Sequence, residues 1–248
     1  MDRKIIEEIK KKREFSDLPD SIVLRFAEIA KGDVKESRAQ LRKYFGVFLT
    51  NRVLKSKGDF DQILKAHISS KKRDYLEFYN SFTGERGFNS ILDLGSGVNG
   101  FSYPYLTEVF GEVKYYAIEA SGQLVRNMND FFEKNHFDGQ AIKGDLMDFD
   151  FVGETIGKIK DKKLVFLFQV VDALENLEKN SSKKFLEYLL KYLDKKDLVV
   201  LTVPTESIGG RKRFFVLRKW LLDFLNERFS VEKDFDAFGE RIIVFRKK

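Results

Sequence analysis

The sequence has few of the residues that carry covalent and metal chemistry, since its 248 residues include no cysteine and two histidines. The absence of cysteine excludes disulfides, thiolate nucleophiles and zinc ribbons in this chain, and two histidines are too few for a histidine-rich metal site. No segment has the long apolar run of a membrane span, and residues 1–15 form a charged amphipathic pattern unlike a signal peptide. We therefore expect a cytoplasmic protein with no metal and no membrane contact.

The composition is sufficient for a large core, and the charge is unevenly distributed. Apolar residues make up 43% of the chain, with 25 phenylalanines, which is enough to fold without covalent cross-links. Residues 1–89 contain 20 Lys and Arg against 14 Asp and Glu, whereas residues 90–248 contain 25 of each. A basic module joined to a balanced one indicates a polyanionic partner such as nucleic acid. A lysine-rich solvated surface is the alternative, and charge alone does not decide between them.

The chain divides into a helical part and a part with alternating strands and helices. Residues 2–66 show helical periodicity, and the segment Leu18–Ser21 is expected to break the chain and to cap the second helix. A further helix is predicted over roughly Lys71–Phe82, followed by a polar turn. We therefore predict a basic helical domain over residues 1–89 and a second domain over residues 90–248.

The second part has the pattern of a doubly wound α/β fold. Helices are expected between the first five strands, and the last two strands are too close for a parallel crossover, so they should form an antiparallel hairpin. This arrangement is typical of class I S-adenosylmethionine methyltransferases, which have a Rossmann-like sheet. The predicted strands are Ser90–Leu94, Val113–Glu119, Gly139–Lys143, Lys163–Gln169, Leu198–Val203, Phe229–Phe235 and Arg241–Phe245.

A glycine-rich loop follows the first predicted strand. Residues 95–100 read Gly-Ser-Gly-Val-Asn-Gly, which matches the Gly-x-Gly-x-x-Gly pattern of dinucleotide sites. Asp93 precedes Gly95 by two residues, and its charge would repel a pyrophosphate but attract the ammonium group of S-adenosylmethionine. The loop therefore favours the sulfonium cofactor. The plain alternative is a glycine-rich turn in which Asp93 caps the following helix.

Acidic residues also follow the second and third predicted strands. Glu119 is placed to accept hydrogen bonds from ribose hydroxyls, which both cofactor types carry. Asp145 is placed to meet the adenine amino group, with Leu146 or Met147 packing on the ring. Acids at three successive strand ends predict a cleft that tolerates a cation.

Three separated motifs resemble the small-subunit ribosomal RNA guanine-N7 methyltransferases known for aminoglycoside resistance. Asp93–Gly100 resembles the family's Asp-x-Gly-Cys-Gly-x-Asn-Pro, with Asn99 as the distinguishing match. His67–Arg73 is similar to His-x-Ser-Thr-x-Glu-Arg, and Val203–Arg211 is similar to Phe-Pro-Thr-x-Ser-Leu-Gly-Gly-Arg. The three motifs occur in the family's order and cover most of the chain from His67 onward.

The resemblance implies an S-adenosylmethionine-dependent enzyme that methylates N7 of a guanine in the decoding region of 16S-type rRNA in the small ribosomal subunit. It also implies that the basic helical domain over residues 1–89 binds RNA, which agrees with its excess of positive charge. It further implies that Arg73 reaches the cofactor carboxylate and that Ser207–Arg211 borders the target base. We expect a monomer. The candidate cofactor-binding residues are Arg73, Asp93, Gly95, Ser96, Gly97, Asn99, Glu119, Ala120, Asp145, Leu146 and Gln169, and the candidate RNA-binding residues are His67, Ser69, Ser207, Arg211, Lys212 and Arg213.

The sequence departs from the family at the fourth strand. The family's Leu-Leu-Lys-x-Leu-Pro-x-Leu-Glu corresponds here to Leu167–Glu175, in which Gln169 replaces Lys and Asp172 replaces Pro. These two residues are the catalytic candidates, although N7 has its own lone pair and needs no general base. The departures keep open a methyltransferase for another RNA or a small molecule, and a non-catalytic RNA-binding ribosome-assembly protein. A nicotinamide dehydrogenase is a further alternative.

Overall fold

A seven-stranded sheet forms the centre of the protein in the computed structural model, which describes residues 2–45, 60–66, 71–82, 84–205 and 219–248. The strands are β1 (Ser90–Leu94), β2 (Lys114–Glu119), β3 (Gly139–Lys143), β4 (Lys163–Phe168), β5 (Leu198–Pro204), β6 (Phe229–Ala237) and β7 (Glu240–Lys247). Their order is β3-β2-β1-β4-β5-β7-β6. The first five are parallel, and β7 and β6 continue the sheet antiparallel. The predicted α/β fold and its terminal hairpin are confirmed.

The strand ends differ from the prediction in two places that have a physical reason. β4 ends at Phe168 rather than at Gln169, because Gln169 has a φ of +58° and leaves the extended conformation. The hairpin loop was expected over residues 236–240 but is a two-residue turn, Phe238–Gly239, with φ of +55° and +77°. Two successive positive φ values suit the twist of an antiparallel pair.

Helices cover both faces of the sheet. They are α4 (Phe60–Ala66), α5 (Tyr75–Phe82), α6 (Tyr103–Phe110), α7 (Gly122–Lys134), α8 (Phe149–Gly157), α9 (Val170–Leu177), α10 (Ser181–Leu189) and α11 (Lys219–Arg228). One core lies between the sheet and α4 to α7, and the other between the sheet and α8 to α11. Because both faces are covered, β1 and β4 are buried along their whole length and consist mainly of apolar residues.

The N-terminal helices form a small bundle with its own core. The bundle, as we call it here, consists of α1 (Asp2–Lys10), α2 (Asp20–Ile29) and α3 (Val34–Phe45). Its core contains Ile9, Phe15, Leu18, Ile22, Val23, Phe26, Ala27 and Leu41. The expected side-chain cap of α2 is not formed, because Pro19 occupies the cap position and Ser21 is already helical. No helix in the described ranges is long and apolar enough to cross a membrane.

The predicted helix over residues 71–82 starts later than expected. It begins at Tyr75, and its buried residues belong to the same core as the sheet face that they cover. The bundle core, in contrast, is separate. The division of the chain at residue 89 stays a prediction.

The bundle docks beside the carboxyl ends of the strands through polar contacts. The carbonyl oxygen of Asp17 accepts from the amide of Gly122 at 3.1 Å. The Asp17 carboxylate pairs with Arg126, and with Lys143 at 3.2 Å. The bundle therefore lies against the edge of the sheet where the loops after β2 and β3 emerge.

Candidate functional site

The loop after β1 is held close to β2 and α9. Gly95 and Gly97 have φ of +77° and +54°, in the region that glycine adopts without strain. A Cβ on Gly95 would lie 2.9 Å from Cγ2 of Val170. The amide of Gly95 donates to the carbonyl oxygen of Ile118 at 2.8 Å, and the amide of Gly97 donates to Oε2 of Glu119 at 2.9 Å. The glycine loop is therefore fixed by both neighbouring elements.

Asp93 is a fully buried carboxylate with one oxygen engaged and one open. Its Oδ2 accepts from Nδ2 of Asn99 at 2.7 Å and from the hydroxyl of Tyr115 at 2.6 Å. Among the residues that the structure describes, Oδ1 has no hydrogen-bond partner. Burial raises the pKa of Asp93 to about 6, against the two hydrogen bonds and the charge of Arg73. An open buried acceptor of this kind requires a donor, and a cationic donor would also hold it ionised.

Asn99 acts on Asp93 and is itself held from behind. Its Oδ1 accepts from the hydroxyl of Tyr79 at 3.1 Å, and that hydroxyl lies 2.5 Å from Oγ of Ser102. This network orients the amide so that its nitrogen faces Asp93. Tyr115 and Tyr79 were missed from the sequence, where they look like ordinary core aromatics.

Glu119 lies at the end of β2 and is tied to the backbone around it. Its Oε1 accepts from the amide of Ser121 at 2.8 Å, in addition to the bond from Gly97 on Oε2. Burial raises its pKa, although these backbone donors oppose the effect. Two ionised oxygens have about four acceptor positions, so Glu119 retains capacity for two further donors. Of the neighbouring candidates, Ser96 is buried and Ala120 packs against the bundle core.

Asp145 is shared between the sheet and the bundle. Its Oδ1 accepts from the amide of Met147 at 2.9 Å. Its Oδ2 accepts from Oγ of Ser21 at 2.9 Å and from Nη1 of Arg25 at 3.3 Å. The sequence did not indicate these two partners from α2. Leu146, which follows Asp145, lies beside the glycine loop, since a Cβ on Gly95 would be 3.3 Å from its Cδ1.

Arg73 is bound to a residue that the sequence analysis did not select. Its Nε lies 2.7 Å from Oε1 of Glu240, and its Nη2 lies 2.9 Å from Oε2. The guanidinium also lies 4.4 Å from the ring centroid of Phe78 and 4.8 Å from that of Phe168. Burial acts to lower the pKa of Arg73, but the Glu240 carboxylate outweighs it and the pKa is raised. Phe168 and Phe101 both belong to the core between the sheet and α4 to α7.

Gln169 and Asp172 lie together where the chain turns from β4 into α9. The amide of Gln169 donates to the carbonyl oxygen of Thr202 at 2.9 Å. Its left-handed backbone is uncommon for a residue other than glycine. Asp172 is half-buried in the first turn of α9. Both catalytic candidates therefore lie at the same edge of the sheet as the three acids.

Six candidate RNA-binding residues fall outside the described ranges. They are His67, Ser69, Ser207, Arg211, Lys212 and Arg213. The last described residue before the basic segment is Thr205, whose amide donates to the carbonyl oxygen of Gly239 at 3.0 Å. Thr205 therefore lies beside the hairpin turn, and the roles of the six residues stay predictions.

The strand order and the loop after β1 define the fold of class I S-adenosylmethionine-dependent methyltransferases. The 16S rRNA methylase RmtB has this fold with a TM-score of 0.77 and 17% identity, over 100% of this chain and 99% of that chain. An rRNA methylase from Escherichia coli has a TM-score of 0.78 and 17% identity, over 100% of both chains. The 16S rRNA methyltransferase RmtF in complex with S-adenosyl-L-homocysteine has a TM-score of 0.75 and 17% identity, over 100% of this chain and 98% of that chain.

These likenesses are structural only. No protein-family model matches the sequence, and no curated protein is significantly similar to it. At 17% identity the shared property is the fold. Because the match extends over the whole chain, the fold expected from the three sequence motifs is confirmed.

Proposed function

We propose that this protein is an S-adenosylmethionine-dependent methyltransferase of small-subunit ribosomal RNA, with N7 of a guanine in the decoding region as its target. The observation that carries the proposal is the full-length structural match to 16S rRNA methylases, which includes the N-terminal helices as well as the sheet. The three sequence motifs support the same reading independently of the fold.

The residues at the sheet edge suit the proposed cofactor. The open Oδ1 of Asp93 would accept from the ammonium group, and the remaining acceptor positions of Glu119 would accept from the ribose hydroxyls. Asp145 and Leu146 would face the adenine, and Arg73 would face the carboxylate. Buried carboxylates at these positions would repel the pyrophosphate of a dinucleotide, which weighs against a nicotinamide dehydrogenase.

The proposed reaction requires the side chains to orient the base and the methyl donor, and it does not require them to transfer a proton. When bound, S-adenosylmethionine would supply an electrophilic methyl group. N7 of guanine carries an in-plane lone pair, so no side chain has to remove a proton before attack. The task of Gln169 and Asp172 would be to hold the base by hydrogen bonds, in line with the donor, and such positioning is a large part of catalysis in reactions of this kind.

The substrate side of the proposal depends on the basic N-terminal third. The excess of positive charge lies within residues 1–89, and positive charge supplies most of the affinity for an RNA backbone. A guanine in a stacked helix has to be exposed before its N7 can react, so local distortion of the RNA is expected. We further propose that the protein is a cytoplasmic monomer and that its product confers aminoglycoside resistance.

Two measurements test the proposal in sequence. Calorimetry should detect binding of S-adenosylhomocysteine and none of NAD. Purified 30S subunits and naked 16S rRNA are then incubated with a labelled methyl donor, and the modified base is mapped. A label on N7 of a decoding-region guanine is the expected result. Binding of S-adenosylhomocysteine without label in either RNA would favour a non-catalytic assembly protein. A label at another nucleotide would show a different target, which is the alternative that the departures at Gln169 and Asp172 keep open.

A further inference from the structure

The ion pair between Arg73 and Glu240 joins distant parts of the chain inside the core. Arg73 lies just before α5, and Glu240 is the first residue of β7, opposite Pro204 at the carboxyl end of β5. Their side chains are 4% and 1% exposed. Replacing such a pair by apolar residues often leaves stability unchanged or improves it. Stability alone therefore gives a weak reason for this pair.

Glu240 and two aromatic rings restrict the orientation of the guanidinium. Glu240 binds it through two atoms, Nε and Nη2, which sets its rotation within its own plane. The ring centroids of Phe78 and Phe168 lie 4.4 Å and 4.8 Å from its Cζ, so the two rings restrict its movement out of that plane. The Nη1 edge of the guanidinium remains outside the pair.

Arg73 also belongs electrostatically to the same site as Asp93. Its charge is one of the influences that lower the pKa of Asp93 against burial. The site thus contains a buried cation held in one orientation and a buried carboxylate with one open oxygen. A ligand with an ammonium and a carboxylate on one carbon, as in an α-amino acid, is complementary to that arrangement.

We propose that Glu240 is a positioning residue that aims the Nη1 edge of Arg73 at the carboxylate of the bound cofactor's amino-acid end. This inference rests on the proposed function. Glu240 does not contact the cofactor in this proposal. It selects for ligands that carry the amino-acid carboxylate, because an Arg73 that is free to rotate would hold that group less well.

The test compares two ligands with Glu240→Gln. A glutamine side chain has one acceptor oxygen and an NH2 group that only donates, so it cannot reproduce the pairing in which each carboxylate oxygen accepts from a different guanidinium nitrogen. S-adenosylhomocysteine has the amino-acid end, and 5′-methylthioadenosine lacks it. We expect the variant to bind S-adenosylhomocysteine at least about tenfold more weakly and 5′-methylthioadenosine within about twofold of the unaltered protein.

The matched control is Asp197→Asn. Asp197 pairs with Lys163 at 2.8 Å, and the two side chains are 0% and 2% exposed, at the amino edge of the same sheet. This variant breaks an equally buried ion pair away from the site, so both ligands should bind it as they bind the unaltered protein. If Glu240→Gln does not fold, Glu240→Asp retains the charge but shortens the arm, and the same preferential loss, of about fivefold, is expected.

Other results overturn the inference. Equal loss for the two ligands would make Glu240 a structural residue only. Unchanged binding of S-adenosylhomocysteine would mean that Glu240 does not prepare the cofactor site. Tighter binding would mean that Glu240 competes with the cofactor carboxylate for Arg73. Failure of the unaltered protein to bind S-adenosylhomocysteine is a separate result, because it would reject the proposed function itself.

Discussion

At the scale of single residues, the two oxygens of the buried Asp93 carboxylate differ in their hydrogen bonding. Oδ2 receives both donors, Asn99 and Tyr115, while Oδ1 has none among the described residues. Leaving a buried acceptor unsatisfied costs about 1 to 3 kcal/mol. That cost is recovered when a donor arrives, so the arrangement favours the bound state over the free one.

Replacing Asp93 by asparagine is expected to reduce affinity without damage to the fold. The amide retains an acceptor of the same shape but loses the charge that would bind an ammonium group. We expect S-adenosylhomocysteine to bind roughly 10- to 100-fold more weakly, measured by calorimetry, with a melting temperature that does not fall. Unchanged affinity would remove the assigned role of Asp93.

Cofactor affinity should depend on pH through the same carboxylate. The pKa of Asp93 is about 6, and only its ionised form attracts the ammonium group. As the pH falls through this value the carboxylate takes up a proton, so at one unit below it the affinity for S-adenosylhomocysteine should be about tenfold lower than at neutral pH. An affinity that stays constant between about pH 5 and 7, one unit on either side of that pKa, would contradict this prediction.

Tyr115→Phe should move that profile in a known direction. The hydroxyl of Tyr115 stabilises the ionised form of Asp93 and lowers its pKa. Without it the pKa should rise, and the loss of affinity should set in at higher pH. Tyr103→Phe is the matched control, because its hydroxyl donates to the carbonyl oxygen of Val113 and not to Asp93. The two variants should therefore differ in the midpoint of the pH profile.

At the scale of elements, local patterns made most of the fold predictable. The buried strands are continuous apolar runs, and the hairpin follows from the short connection between the last two. What was missed depends on contacts between distant residues. The hydroxyl of Ser21 binds Asp145, 124 residues away, instead of capping α2. Glu240 is 167 residues from Arg73, and no local pattern marks it.

The positions of the candidate site residues at one sheet edge were also predictable from local patterns, whereas their distant partners were not. Asp93, Glu119 and Asp145 follow successive strands, so parallel pairing places them at one edge. Their supporting partners, such as Tyr79 and Tyr115, come from a helix and a strand whose aromatic residues look like core. Sequence pattern therefore identifies the groups at the edge but not the network that orients them.

The glycine loop should tolerate no side chain at its first position. In Gly95→Ala the methyl group would lie 2.9 Å from Val170, on a backbone with φ of +77°. We expect a loss of about 2 to 4 kcal/mol in the free energy of unfolding, from strain and overpacking together. Gly84→Ala is the control, because a Cβ there meets nothing within 4 Å. Chemical denaturation of both variants measures the difference, and equal stability would show that the loop can move.

At the scale of the whole molecule, the bundle is attached directly to the proposed cofactor site. Ser21 and Arg25 of α2 bind the carboxylate that is predicted to face adenine. Asp17 adds ion pairs to Arg126 and Lys143. Hydrogen bonds and ion pairs therefore join the proposed RNA-binding part to the proposed cofactor edge. A structural change in one part should alter the other.

Asp17→Ala should loosen this attachment without unfolding the bundle. It removes two partly exposed ion pairs, each worth at most about 1 kcal/mol, so amide hydrogen exchange in α2 should become about 2- to 10-fold faster. Glu14→Ala removes an equal charge, but Glu14 pairs with Arg42 inside the bundle. The control should leave exchange in the docking contact unchanged, and identical exchange in the two variants would contradict the attachment.

The pairing of Arg73 with Glu240 also has a consequence for how the protein is made. Glu240 lies 167 residues after Arg73 in the chain, so during translation Arg73 emerges long before its counter-ion is synthesised. The nascent chain therefore passes through a stage in which this arginine has no Glu240 carboxylate to pair with. The buried ion pair can form only after β1 to β6 have been synthesised and β7 has begun, so it is a late event in the folding of a growing chain.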